Sequence, residues 1–204
     1  MTGIKSIVFT AVLLVGVFGR IDAVTAGNNK EVATLAGGCF WCLEAIFEEL
    51  EGVRKVESGF AGGDDDASYT EVCSGLTGHA EVVQITFDPA VISYGEILTV
   101  FFSVHDPTTL NRQGADEGTQ YRSAVFYHDD GQKAAAKKAI TVLTEEKVWP
   151  DPVVTEVSQF DKFFKADAHH QDYYRNNKTQ GYCQVVINPK LAKFRKHFAD
   201  QLKD

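Results

Sequence analysis

Apolar and polar positions along the chain set out a series of strands and helices. Residues 80–87, Ala-Glu-Val-Val-Gln-Ile-Thr-Phe, read as the cleanest strand and stop at Asp88-Pro89. Residues 32–36 are small and partly β-branched, a buried strand that ends at Gly37-Gly38. Leu43, Ile46, Phe47 and Leu50 then fall at helical spacing, with Glu44, Glu48 and Glu49 on the outer side and Gly52 closing the helix. Residues 53–61 predict a second strand and 62–66 an exposed loop. Ser93 caps a helix running to about His105, with Glu96 completing a capping box. Residues 106–120 hold Pro, Gly, Asn and Thr but few large apolar side chains. That composition predicts a long loop of the kind that carries function.

Further along, 121–127 and 153–157 predict strands, and 130–147 and 167–175 predict helices. A loop at 176–181 leads into Tyr182-Cys183. Leu191, Phe194, Phe198 and Leu202 mark a last amphipathic helix with basic residues outside. Strands and helices interleave without a repeat or a break in composition. The expectation is an α+β fold (an α/β arrangement being the neighbouring option), one domain over residues 27–204 with a central mixed sheet flanked by helices.

The first residues differ in kind. Lys5 precedes an apolar run from Ile7 to Phe18, and Val24-Thr25-Ala26 offers small residues for cleavage. This layout is that of a signal peptide over residues 1–26, and it predicts an exported protein, periplasmic or secreted. The run is short of the ~20 apolar residues that span a bilayer, so no stable membrane integration is expected after cleavage. An uncleaved anchor is the alternative. The net charge of −8, with no long basic run, disfavours nucleic acid as a partner. The content of 14 Phe, 7 Tyr and 2 Trp speaks against disorder.

Four cysteines, Cys39, Cys42, Cys73 and Cys183, lie beyond the leader. They are too few to scaffold this length, so thiol chemistry competes with disulfide stapling in an oxidising compartment. Cys39 falls at a strand-to-helix turn, where a helix N-terminus stabilises a thiolate. Gly38 permits close backbone approach, and Phe40 and Trp41 either wall an apolar pocket or anchor the helix. Cys39 and Cys42 form a Cys-x-x-Cys pair, which admits a dithiol oxidoreductase reading, although the Phe-Trp spacer crowds it. No second such pair exists and His169-His170 are adjacent, so a metal site is not expected.

Gly38-Cys39-Phe40-Trp41 resembles the signature of the A-type peptide methionine sulfoxide reductases. Further blocks resemble the same family in order: Gly78-His79-Ala80-Glu81-Val82-Val83, His105-Asp106-Pro107-Thr108 with the segment from Asn111 to Ser123, His170-Gln171-Asp172-Tyr173, and Gly181-Tyr182-Cys183. The resemblance covers nearly the whole chain after the leader. It implies reduction of methionine S-sulfoxide, free or in proteins, as repair of oxidative damage, without metal or cofactor. It further implies Cys39 as nucleophile, Phe40 and Trp41 around the substrate methyl, and Glu81 as proton donor to the sulfoxide oxygen. Tyr69 and Tyr121 would be hydroxyl donors to that oxygen, and Asp116 would bind the substrate backbone. Cys183 would resolve the Cys39 sulfenic acid, with a thioredoxin-like reductant closing the cycle. Cys42 reads as a buried structural thiol or a rival resolving group, and Cys73 as a small buried residue. Taken singly, each position also has a plain reading: Glu81 facing solvent, the tyrosines in the core, Asp116 capping a turn. A non-enzymatic exported binding domain is the rival from another class.

Overall fold

The computed structural model describes residues 30–203, so the leader expected at 1–26 lies outside the described residues. Residues Glu31–Gly37, buried from Ala33 onward, form β1 and lead into helix α1, Phe40–Phe47. Gly52, in the left-handed region at φ 82°, turns the chain into β2, Val53–Ala61. A five-residue helix follows, α2 (Tyr69–Cys73), beyond the exposed loop expected at 62–66. Its Ser68 and Glu71 make a capping box, so the signal was present in Ser-x-x-Glu. β3 (Ala80–Phe87) and α3 (Tyr94–Val104) lie where the pattern placed them, and the Ser93–Glu96 capping box is formed.

The loop after α3 carries a two-residue hairpin, β4 (Arg112–Gln113) with β5 (Asp116–Glu117), and a 3₁₀ turn at Thr119–Tyr121. β6 (Ser123–Tyr127) and α4 (Asp130–Glu145) match expectation apart from Tyr121, which sits in the turn rather than the strand. The next strand, β7, occupies Glu156–Gln159 rather than 153–157, and β8 is a two-residue edge at Phe164–Lys165. The helix expected over 167–175 is broken. A 3₁₀ turn at Ala168–His170 and a short α5 (Tyr173–Asn176) flank Asp172, whose φ of 52° is left-handed.

The largest difference lies at Cys183. The loop expected at 176–181 is confined to residues 177–180, and residues 181 and 182 already turn helically. A wide π-helical turn at Cys183–Ile187 continues into α6, Asn188–His197.

The six-stranded sheet runs β7-β6-β1-β3-β2-β8, antiparallel throughout except for the parallel β6–β7 pair. The mixed α+β sheet flanked by helices is therefore as expected. On β3 the period of two puts Glu81, Val83, Ile85 and Phe87 on one face. Val83, Ile85 and Phe87 join the main core with Phe40, Phe47, Phe101 and Phe194. Each such side chain stabilises the fold by roughly 1.5–3 kcal/mol on full burial. Glu81 is thereby directed into the protein, at the end of that core face nearest the start of α1.

Candidate active site

The β1–α1 turn is shaped by two contacts. Gly38 has φ 89°, and a Cβ there would come within 2.5–2.6 Å of the Gln113 side chain. Only glycine lets the long loop close onto the turn. The Gln113 amide in turn clamps that loop, accepting from the Asp106 N–H at 3.1 Å and donating to the Asp106 carbonyl at 3.0 Å. Beneath the turn, the buried His105 donates from Nδ1 to the Phe101 carbonyl at 2.6 Å, which leaves Nε2 to accept from Ser123 Oγ at 2.8 Å. Burial holds this imidazole neutral, its pKa down to about 4.

Cys39 is the N-cap residue of α1 and is buried. Its thiol is hydrogen-bonded with that of Cys42. Burial, Cys42 and Glu81 push Cys39 up, whereas the bond from Cys39 brings Cys42 down to about 7. The pair therefore loses one proton readily and the second with difficulty. Cys42 is buried as expected, but it is no inert core thiol. It touches the Cys39 sulfur and lies 3.9 Å from the Tyr182 hydroxyl.

Glu81 is 1 % exposed. Its Oε2 accepts from the Phe40 N–H at 3.0 Å, one of the free amides at the start of α1. Its Oε1 is buried and finds no partner among the described residues. Burial pushes this carboxyl up to about 8, against the Phe40 bond and with help from the charges of Asp116 and Cys42. Glu81 is thus a protonated acid near neutral pH with one oxygen facing the site. The alternative of a solvent-facing strand residue is excluded by its burial.

Tyr69, the first residue of α2, and Tyr121, at the end of the 3₁₀ turn, both lie close enough to Glu81 for its charge to raise them, after burial as the larger cause. Two bonds bring their segments together: Thr119 Oγ1 donates to the Gly75 carbonyl at 3.1 Å, and Gln120 Nε2 to the Cys73 carbonyl at 3.3 Å. Cys73 was expected as a small buried residue. It is instead half-buried and close to Tyr69, Tyr121 and Glu81. Asp116, on β5, accepts from the Tyr182 hydroxyl at 2.8 Å.

The structure therefore gathers Cys39, Phe40, Trp41, Tyr69, Glu81, Asp116 and Tyr121 around one point. Cys183 is fully buried and near Cys42, whose charge helps raise it after burial. Three residues given no role in the sequence reading also belong here. Tyr182 bridges Asp116 and Cys42. Tyr173 lies flat on Trp41, with centroids 3.7 Å apart and planes within 9°. His170 packs against Tyr69 at 4.2 Å and Trp41 at 5.6 Å, and both its ring nitrogens are buried without a partner among the described residues. His170 and Tyr173 stand in the His-Gln-Asp-Tyr block, and Tyr182 precedes Cys183. Their place beside recognised blocks was the only signal.

This arrangement offers a nucleophilic thiol pair at a helix start, a neutral acid, phenol donors and an apolar aromatic wall. Among the described residues no group of His, Cys, Asp and Glu has the arrangement to hold a metal ion, and no helix is long and apolar enough to cross a membrane.

A family model described as peptide methionine sulfoxide reductase matches residues 31–202. The chain is 54 % identical over 185 residues to peptide methionine sulfoxide reductase MsrA 1 of Rhodopirellula baltica, covering 90 % of this chain and 95 % of that one. It is 53 % identical to the MsrA of Chromobacterium violaceum over 85 % of this chain and 99 % of the relative. Among solved structures, reduced Mxr1 from Saccharomyces cerevisiae superposes with a TM-score of 0.68 at 33 % identity, covering 76 % of this chain and 89 % of that one. Methionine sulfoxide reductase A of Corynebacterium diphtheriae superposes with the same TM-score at 29 % identity, covering 78 % and 80 %.

Proposed function

Because the chain belongs to the peptide methionine sulfoxide reductase family and is a peptide-methionine (S)-S-oxide reductase, we propose that its reaction runs through Cys39 as nucleophile and Glu81 as acid. The observation that carries this reading is Glu81 itself: buried, raised to about 8, bonded to the amide beside Cys39 and with one oxygen unpartnered. A sulfoxide sulfur is electrophilic, but its oxygen leaves poorly unless protonated. Cys39 passes its proton to the Cys42 sulfur that it bonds, and the resulting Cys39 thiolate attacks the sulfoxide sulfur while Glu81 gives its proton to the oxygen. Methionine departs, and the hydroxyl is left on the Cys39 sulfur as a sulfenic acid. Phe40 and Trp41 hold the substrate methyl, and the hydroxyls of Tyr69 and Tyr121 donate to the oxygen. Asp116 binds the substrate backbone, with Tyr182 orienting its carboxylate.

A second thiol then condenses with the sulfenic acid, releasing water and forming a disulfide. Cys183 is the resolving thiol in this reading, supported by its burial near Cys42 in the segment packed on α1. A thioredoxin-like dithiol exchanges with the disulfide and closes the cycle. A specific observation favours a second reading: Cys42 already bonds the Cys39 thiol and has its own thiol lowered to about 7. Peptide mass spectrometry after one treatment with substrate separates the two. A Cys39–Cys183 disulfide is expected, together with a Cys183→Ser enzyme that makes one turnover with thioredoxin and is partly rescued by dithiothreitol. A Cys39–Cys42 disulfide with Cys183 free transfers the role to Cys42.

Residues 1–26 are proposed to be a cleaved signal peptide and the protein to be exported, periplasmic or secreted. The support is the Lys5, apolar-run and Val24-x-Ala26 layout, with the family match beginning only at residue 31. N-terminal sequencing of protein from its native host should read from Gly27. An intact Met1 in a soluble cytosolic fraction contradicts it.

A further inference from the structure

Glu44 was expected on the outer face of α1, yet it is 1 % exposed. The reaction scheme above gives it no role. Its carboxylate is surrounded by donors. Oε1 accepts from Ser58 Oγ on β2 at 3.0 Å and Oε2 accepts from the Tyr173 N–H at 3.1 Å, with the Asp172 amide close enough to favour the charged form. Two consecutive amides of one turn thus converge on a single carboxylate. The turn they belong to needs such help. Asp172 is a non-glycine residue at φ 52°, a left-handed conformation that L side chains adopt at a cost unless their surroundings enforce it.

The same turn is fastened a second time, through Gln171. Its side chain accepts from the Ser58 N–H at 3.0 Å and donates to the Ser58 carbonyl and the Ala166 carbonyl, both at 2.8 Å. Ser58 is therefore the anchor on the sheet and Glu44 the anchor on the helix. What the two hold in place is Tyr173, the residue that emerges from the strained turn with its ring flat on Trp41. Glu44 lies one helical turn beyond Phe40 and Trp41, so the helix that presents the aromatic wall also carries the group that fixes the ring lying on it.

We propose that Glu44 is a positioning residue, which holds the 171–173 turn so that Tyr173 fixes the orientation of Trp41 and with it the subsite for the substrate's methyl group. This rests on the reading of Trp41 as part of that subsite. Glu44 makes no contact with the reacting atoms. Its loss should weaken substrate binding and leave the Cys39–Glu81 chemistry largely intact.

The test compares Glu44→Ala, Glu44→Gln, Tyr173→Ala and the Glu44→Ala/Tyr173→Ala pair, with Trp41→Ala as control. A methionine sulfoxide peptide is the substrate and dithiothreitol the reductant. Glu44→Ala should raise KM about tenfold with kcat within about threefold, the mark of lost binding rather than lost chemistry. Glu44→Gln, which keeps an acceptor but adds a donor among donors, should fall between Glu44→Ala and the parent. The double variant should match Tyr173→Ala alone, because the two residues act through one ring. In a Trp149→Phe background, which leaves Trp41 as the one tryptophan, its emission should shift to the red in both Glu44→Ala and Tyr173→Ala.

If Glu44→Ala does not fold, Glu44→Gln and Tyr173→Ala carry the same comparison. Unchanged emission overturns the proposal, as does a KM effect that adds fully to that of Tyr173→Ala. Shifted emission with an unmoved KM also overturns it. If Trp41→Ala leaves KM unmoved as well, the failure lies in the assignment of Trp41 to the subsite.

Discussion

Glu81 has one carboxylate oxygen held by an amide and the other facing the site, and burial keeps its proton on to about pH 8. Its acid form therefore dominates below that value, and kcat/KM should fall as pH rises through about 8. Glu81→Gln should lower kcat/KM by ~10²–10⁴ and remove that alkaline limb. A variant within twofold of the parent at pH 7, a barrier difference of roughly 0.4 kcal/mol, would remove Glu81 from the chemistry. The stability linkage has the same origin. The folded pKa lies above the unfolded value of ~4.3, so the folded state binds the proton more tightly. Stability from this group is greatest below the unfolded value and is lost as pH rises through about 8. Thermal melts of Glu81→Gln should accordingly lose less stability than the parent between pH 5 and pH 9.

The contrast between Glu81 and Glu44 shows how far single residues were legible. Glu81 was singled out because a recognisable block surrounds it. Glu44 stands in sequence with Glu48 and Glu49 and looks like one more surface acid. Its burial depends on donors from Ser58 and from the turn at Asp172 and Tyr173, more than a hundred residues away in the second case, and no local pattern encodes that meeting. The two readings of Cys42, structural thiol or rival resolving group, were left open for a related reason. Burial raises a lone thiol, but a neighbouring thiol that donates to it has the opposite effect and is the larger cause.

Elements with strong local signals were read correctly. β3 was placed by its apolar run ending at Asp-Pro, and α3 by its capping box. Short elements were not, because their stability is borrowed. β8 has two residues and exists by pairing with Gly59 and Phe60 of β2. The β4–β5 hairpin likewise has two residues on each side. α2 is five residues long, below the length at which an isolated helix is stable. The polar, glycine-containing segment at 176–181 predicted a loop, but only residues 177–180 form one before the chain turns helical and buries Cys183. The i→i+5 spacing of its turn is a local departure from the regular α-helical ladder. Both candidate resolving thiols are thus buried around α1, which is why the disulfide formed after one turnover decides between Cys183 and Cys42.

In the whole molecule, one sheet and one helix start collect groups from segments far apart in sequence. The β1–α1 turn supplies Cys39, Phe40 and Trp41, and β3 supplies Glu81. α2 and the 3₁₀ turn bring the two tyrosines, the β4–β5 hairpin brings Asp116, and the C-terminal region brings His170, Tyr173, Tyr182 and Cys183. Fold class and most of the residues gathered at the site were legible because their segments, α2 apart, keep a recognisable block. The contacts between segments were not, since Tyr182 on Asp116 and Tyr173 on Trp41 exist only once the sheet has formed. The reading as a whole depends on a thiolate at residue 39. Turnover of a methionine S-sulfoxide peptide with dithiothreitol tests it most directly, comparing the parent with a Cys39→Ser variant shown by circular dichroism to be folded. Multiple turnovers for the parent and no methionine from the variant are expected. Comparable turnover in the folded variant would contradict the mechanism.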